Sequence, residues 1–489
     1  MKRISSVLLV AFLIGCGGGE GSGGSSGGSS QVSGEGSSSD GNTDNPSPAA
    51  DISIYRSRYF MDASGNYKFL LGQYVWTTAE LDIPTPSGAL GGTPAPAKTF
   101  IDVDMVPNGL NYYRFSLGVV RSTNETDPTS WDGTPNLVPF LYKGSPAKAD
   151  LDQWDPAYWT ALKEKVAYAG SKGIIVHVCF FDGALSLQAV NSWKYTFWNI
   201  DNQTESFYGD LDIDNNEITD KEGEFWRLGD FNSNTGVGYY QRLLIAKTIS
   251  ELDSYGNVMY ELGNETYYAP TDWIEAALTY ARSLTNKPVT VNLHDAQTTP
   301  SSPGSYATHQ GDNPASIKTW IENNVGRGHP VYGDPDGSKL GRLYEGDAHL
   351  CRQAAWYSLT GGAAGWGGFT HAYNRNQTTP LYYGYLLNFL STTGAQFWNM
   401  VPSHALISSN SVNSLIAKSG EEYLGYVLSA SSATISLPPG TYSVQFMDPA
   451  TGEITKGSNV VGDTVQTFNR PSGASDWAVF VKLIPAAGG

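Results

Sequence analysis

Two glutamates, each closing a short apolar run, are the residues best placed to do chemistry. Glu265 ends Asn257-Val258-Met259-Tyr260-Glu261-Leu262-Gly263-Asn264-Glu265, and Glu345 ends Arg342-Leu343-Tyr344-Glu345, 80 residues later. Two carboxyl groups can divide an acid task and a nucleophilic task when one holds a proton and the other is ionised. Negative charge on one raises the pKa of the other, so such a pair sets its own division of labour. Asp334 and Asp347 are the competing carboxylates; Asp334 sits in Val331-Tyr332-Gly333-Asp334, is followed by Pro and Gly, and reads as part of a loop. Asn-Glu alone is also an ordinary surface turn; the apolar strand leading into it makes Asn264-Glu265 a candidate. Arg114 stands inside Asn111-Tyr112-Tyr113-Arg114-Phe115-Ser116. A guanidinium there needs a partner, because burying its charge alone is costly. An active-site carboxylate and a structural salt bridge both meet that need.

Other chemistries have less support. No Gly-x-Gly-x-x-Gly follows the first strand, no Gly-x-Ser-x-Gly joins a strand to a helix, and His-Glu-x-x-His does not occur. Cys/His metal spacing is absent, and no cofactor is expected. Asp210, Asp212 and Asp214, with Asp220 nearby, alternate like part of a calcium loop. Asn215 stands where that loop needs Gly and Lys221 where it needs Glu. A solvated acidic rim, with Trp193, Trp198 and Phe207 as a wall, is the plainer reading beside a structural calcium.

The elements that must position these groups alternate short apolar strands with amphipathic helices between residues 51 and 402. Strands are expected over 69–77, 110–119, 173–181, 257–263, 288–294, 306–309, 340–344 and 364–370, with helices over 159–171, 238–255, 271–284 and 350–359. Eight parallel strands suit a closed (β/α)8 TIM barrel, with an open doubly wound α/β sheet as the alternative. Barrel sites lie at the C-terminal strand ends. Glu265 and Asn264 fall there, as do Trp76 after the first strand, His294 after the fifth, His309 near the sixth, and Trp366 and His371 flanking the eighth. From 403 to 489 short alternating segments separated by Pro-Gly, Asp-Pro and Thr-Gly read as a small C-terminal antiparallel β-sandwich domain. It either binds a ligand of its own or caps the barrel.

Residues 1–15 have the build of an export signal: Lys2 and Arg3, an apolar run over 7–14, then Gly15 before Cys16. They resemble a bacterial lipoprotein signal, in which Cys16 carries the lipid. Residues 16–50 are nearly all small and polar and read as a flexible tether. The expectation is an exported monomer anchored to the cell envelope by its lipid. Roughly 440 residues remain, enough for a large barrel and a small module. A net charge of −17 argues against nucleic-acid partners and disfavours strongly anionic ligands. Twenty-nine Tyr and 13 Trp supply aromatic faces, which serve either cores or sugar rings. Cys179 and Cys351 sit in apolar contexts and read as two free thiols rather than a disulfide.

The run into Asn264-Glu265 resembles the fourth strand of clan A glycoside hydrolases. That resemblance implies Glu265 as general acid/base, Asn264 on the substrate hydroxyl beside the scissile bond, and retention of configuration. It implies a nucleophile at the end of strand seven, which Glu345 fits, and an arginine from strand two, here Arg114, keeping that nucleophile ionised. It implies sugar contacts for Trp76, His294, His309, Trp366 and His371, each of which could equally hold a loop. Tyr344-Glu345-Gly346, Arg352-Gln353-Ala354-Ala355-Trp356-Tyr357-Ser358-Leu359 and Gly361-Gly362-Ala363-Ala364-Gly365-Trp366-Gly367 are similar to the apiosidase-like branch. Pro439-Gly440-Thr441-Tyr442, Phe446-Met447-Asp448-Pro449-Ala450-Thr451-Gly452 and Asp476-Trp477 are similar to the collagen-binding-type β-domain that often accompanies it. The resemblance covers residues 60–487. Trp366-Gly367 replaces the branch's usual Tyr-Gly, and substrates vary across the branch. The implied activity is a retaining β-glycosidase on a neutral plant or algal poly- or oligosaccharide. A catalytically inert glycan-binding lipoprotein is the alternative.

Overall fold

The computed structural model describes residues 51–55, 58–62, 64–75, 101–117, 138–145, 148–182, 197–198, 203–204, 225–226, 228–234, 236–264, 266, 269–293, 306–307, 314–326, 328–333, 347–370 and 378–486. The chain divides into two units, Met1–Pro46 and Ser47–Gly489, and every described residue belongs to the second. Among the described residues no helix is long and apolar enough to cross a membrane.

The expected α/β architecture is present. Eight strand positions follow one another: β1 (Leu70–Val75), β2 (Tyr112–Ser116), β3 (Ile175–Asp182), β4 (Val258–Asn264), β5 (Val289–Thr290, continued as Asn292–Leu293), β6 (Tyr306–Ala307), β7 (Tyr332–Gly333) and β8 (Gly365–Thr370). One parallel sheet runs β5-β4-β3-β2-β1-β8-β7. The continuation of β5 pairs with β6, and β6 lies beside β7. β8 returning to β1 along its whole length, from Gly365↔Leu70 to Thr370↔Val75, curls the sheet into a barrel rather than leaving it open.

Glycine permits that closeness. A Cβ on Gly72 would lie 1.7 Å from the Tyr112 carbonyl oxygen, and one on Gly367 would lie 2.1 Å from the Tyr332 hydroxyl. Buried on both faces, the strands read as continuous apolar runs.

The seventh position departs from expectation. Tyr332–Gly333 fills it, pairing with Gly365 and Trp366 of β8, where a strand over 340–344 had been expected; that stretch lies outside the described residues.

The helices are α1 (Pro156–Ser171), α2 (Val237–Leu252), α3 (Thr271–Leu284), α4 (Pro314–Asn324), α5 (Ala348–Gly361) and α6 (Thr378–Thr393). Asp155 caps α1 by accepting from the Ala157 amide, with Pro156 in the first turn where no N–H is needed. Asp347 caps α5 by accepting from the His349 amide at 2.8 Å, and Gly362 ends that helix at φ 88°. Capping explains the conspicuous carboxylate of Asp347 without any part in catalysis.

From Val401 onward the chain forms two antiparallel sheets, one of seven strands and one of three. The central strands of the larger sheet are β9 (Glu422–Leu428) and β10 (Asp476–Leu483). Alternation sorts their side chains. Tyr423, Val427, Trp477, Val479 and Val481 face the smaller sheet and form a core with it. Leu424, Tyr426, Ala478 and Phe480 face the other way and join the core of the barrel's helices. Cys179 and Cys351 are buried thiols that form no disulfide. Burial pushes the Cys351 thiol up to about 12, which keeps it protonated and inert.

Candidate active site

β4 is buried over all seven residues. Glu261 stands in its middle, a charged side chain in a strand with no access to water, and its partner arrives from β2. Arg114 Nε donates to Glu261 Oε2 at 2.8 Å, and Nη2 donates to Oε1. Both side chains are wholly buried. The same Nη2 donates to Asn264 Oδ1 at 3.1 Å. One guanidinium thus joins the middle of β4 to its C-terminal end, the end at which barrel sites are built.

This fixes the Asn264 amide. Arginine has donors and no acceptor, so the oxygen end must face it and the NH2 end is turned away. Two residues on, Thr266 is also tied down, its hydroxyl donating to the Asn292 carbonyl of the fifth strand. Gly263 leaves room for that residue, since a Cβ there would lie 2.8 Å from Thr266 Cγ2. The positions on either side of Glu265 are therefore both buried and anchored.

A layer of polar side chains supports the pair from below. Cys179 Sγ, 3.0 Å from the Phe181 carbonyl, lies 3.5 Å from Glu261 Oε1, and His177 Nε2 lies 3.6 Å from Oε2. His177 Nε2 is 3.1 Å from the Tyr260 carbonyl and 2.9 Å from Thr290 Oγ1, while Nδ1 is 2.7 Å from the Tyr112 hydroxyl. A carbonyl only accepts, so the proton belongs on Nε2 and Nδ1 accepts from Tyr112. Burial, and then the nearby Arg114 charge, holds the imidazole pKa well below its ordinary value, so His177 is neutral. Tyr112 in turn packs on Tyr332 of β7 at a ring separation of 4.6 Å. Strands two, three, four, five and seven are thereby joined in one layer.

Of the residues expected at the site, the described structure brings together Arg114 and Asn264. Arg114 also has a partner that was not expected, Glu261 of the same strand as Asn264, while the strand-seven carboxylate assigned to it lies outside the described residues. Trp366, expected as a sugar platform, is fully buried. Its ring lies where a Cβ on Gly333 would come within 2.2 Å, and Tyr383 of α6 adjoins it on the helix side. That is a core position at the seam between β7 and β8. Trp198, expected in a substrate wall, is likewise buried, among Phe140, Phe181 and Phe225.

Glu265, Glu345, Asp334, Trp76, His294, His309 and His371 lie outside the described residues, as do Asp210, Asp212, Asp214, Asp220 and Cys16. Among the described residues no group of three His, Cys, Asp or Glu side chains could hold a metal ion. Sequence reasoning passed over Glu261, although the argument applied to Arg114 applies to it equally: each is a charge inside an apolar strand, and each supplies what the other lacks.

No family model matches the chain, and no curated protein matches it. Solved structures do. A protein described as a glycoside hydrolase shares 14% identity, with a TM-score of 0.58 over 89% of this chain and 96% of that one. A glycoside hydrolase family 5 protein from Bacteroides vulgatus ATCC 8482 shares 13%, with a TM-score of 0.58 over 89% and 93%. At these identities the likeness establishes the fold, across the barrel and the β-domain together.

Proposed function

We propose that the chain is a retaining β-glycoside hydrolase acting on a neutral plant or algal poly- or oligosaccharide. The observation that carries this reading is the buried Arg114 gripping Asn264 at the C-terminal end of β4, in a fold shared with solved glycoside hydrolases. Glu265 is the general acid/base. In sequence it follows Asn264 directly, at the C-terminal end of β4.

In the first step Glu265 gives its proton to the glycosidic oxygen as the bond to the anomeric carbon breaks. The second carboxylate bonds to that carbon. In the second step Glu265 takes a proton from water, the water oxygen attacks the anomeric carbon, and the ester bond breaks. Retention requires the two carboxyls to stand roughly 5–5.5 Å apart.

For the nucleophile the sequence argument selects Glu345. A specific observation favours Asp334 as a second reading: Tyr332–Gly333 occupies the seventh position, and Asp334 is the next residue in sequence. We further propose export through residues 1–15 and a lipid anchor at Cys16, with residues 16–50 as tether.

The test is product release from a panel of xylan, β-glucans, mannan, arabinogalactan, pectin side chains and neutral algal galactans. Parent activity should fall by about a hundredfold or more in Glu265→Gln, the range expected for removing an acid/base. Comparing Glu345→Gln with Asp334→Asn identifies the nucleophile by which one abolishes turnover. Retained glycan binding without cleavage by the parent would replace this reading with that of a binding lipoprotein.

A further inference from the structure

We infer that Glu261 is a positioning residue for the reaction: its carboxylate holds the Arg114 guanidinium in the one orientation that also grips Asn264 Oδ1, and it neutralises that guanidinium beside the catalytic carboxyls. The geometry rests on three atoms. Arg114 Nη2 is shared between Glu261 Oε1 and Asn264 Oδ1, and Nε is spent on Glu261 Oε2. Were Glu261 absent, the fork would lose the charge partner on β4 and two of these three hydrogen bonds. Arg114 could then swing towards another carboxylate, and the Asn264 amide would lose the donor that sets its orientation.

Among the described residues, Glu261 faces Arg114 from β2 and Cys179 and the neutral His177 from β3. Arg114 and Glu261 together carry no net charge. A carboxyl beside a neutral unit keeps its proton more readily than one beside a lone guanidinium, which an acid/base needs.

The kinetic part of this inference rests on the hydrolase reading; the electrostatic part does not. Glu261→Gln keeps the shape and removes the charge. We expect kcat to fall about tenfold or more, as when a positioned donor is loosened, with a smaller change in KM. Both limbs of the kcat/KM pH profile should move to lower pH, because removing a nearby negative charge favours the ionised form of each carboxyl. Glu261→Asp, which keeps the charge on a retracted carboxylate, should recover part of kcat and return the limbs most but not all of the way. In a double-mutant cycle with Asn264→Ala the losses should fall short of multiplicative.

A purely structural role predicts a lower melting temperature with unchanged limbs and multiplicative losses, and that result overturns the inference. The carboxyl carbon of Glu265, assigned by comparison with Glu265→Gln, can also be titrated by NMR without any substrate. Its pKa should drop in folded Glu261→Gln, and an unchanged value overturns the inference even if no glycan is ever cleaved. Should Glu261→Gln not fold, Glu261→Asp carries the same titration, with a smaller shift expected from the retracted carboxylate and none if the inference is wrong.

Discussion

Arg352 of α5 and Asp476 at the start of β10 form a two-pronged buried ion pair that fastens the C-terminal domain to the barrel. Nε donates to Oδ2 at 3.1 Å and Nη2 to Oδ1 at 2.6 Å, and both side chains are almost wholly excluded from solvent. The Tyr426 hydroxyl donates to the same Asp476 Oδ2 at 2.6 Å, and His349 Nδ1 lies 3.0 Å from Arg352 Nη1. The guanidinium also lies over the Tyr382 ring at 4.6 Å. The cost of burying two charges is thus met by a full set of partners.

Removing one member leaves the other stranded. Asp476→Ala should destabilise the protein by about 3–5 kcal/mol, the range for an uncompensated buried charge. Urea unfolding followed by tryptophan fluorescence measures it. A loss no larger than that of an exposed pair such as Lys418–Glu421 would show that the clamp contributes little.

The apolar half of the same contact predicts that the β-domain is part of the barrel's core. Trp356 stacks on Tyr426 at 5.7 Å with the ring planes 9° apart, and Tyr357 meets the same ring edge-on. Deleting residues 403–489 would expose that face of α5. We expect the truncated chain to be insoluble or to lose its near-ultraviolet circular dichroism while keeping helical signal. A truncated barrel that melts cooperatively at the parent's temperature would make the domain a separable module.

His177 gives a pH dependence whose sign can be worked out. Its pKa is lowered in the fold, so below about pH 6.5 the unfolded chain binds a proton that the native state refuses. Stability from this group is complete above the unfolded value and is lost as pH falls, by at most about 1.4 kcal/mol per pH unit. His177→Gln cannot titrate. Between pH 7 and pH 5 its unfolding free energy should fall less than the parent's, by up to about 2 kcal/mol. Equal losses in the two proteins would mean that His177 is protonated in the fold.

Long periodic elements were legible in the sequence. Thr271–Leu284 buries Trp273, Ile274, Ala277, Leu278 and Ala281 along one stripe, and its bounds are those that the apolar spacing predicts. β4 could be read from an apolar run that only Glu261 interrupts. α6 is harder, because Leu381, Tyr382, Tyr383, Tyr385, Leu386 and Leu387 surround it with apolar groups and leave no polar face to set a period. Trp366 looks the same in sequence whether it faces sugar or core; only the pairing of Gly333 with it decides. The carboxylates proposed for the chemistry lie outside the described residues, and sequence order alone places them.

Strand seven is the least legible element and the most consequential for the nucleophile. Tyr332–Gly333 is two residues long, too short for any alternation, whereas 340–344 shows the same pattern of apolar residues closed by an acid. The pairing makes a sharp prediction. A Cβ at Gly333 would sit 2.2 Å from Trp366 Cε3 and 2.3 Å from Cζ3, inside the barrel wall where the indole has no room to retreat. Gly333→Ala should therefore cost about 1–3 kcal/mol or more from overpacking and shift the emission of Trp366. Trp366→Leu should relieve much of that cost in the double variant, because the ring that clashes is gone. If Gly333→Ala is neutral, β7 does not pair with β8 at this register, and the positional case for Asp334 over Glu345 falls with it.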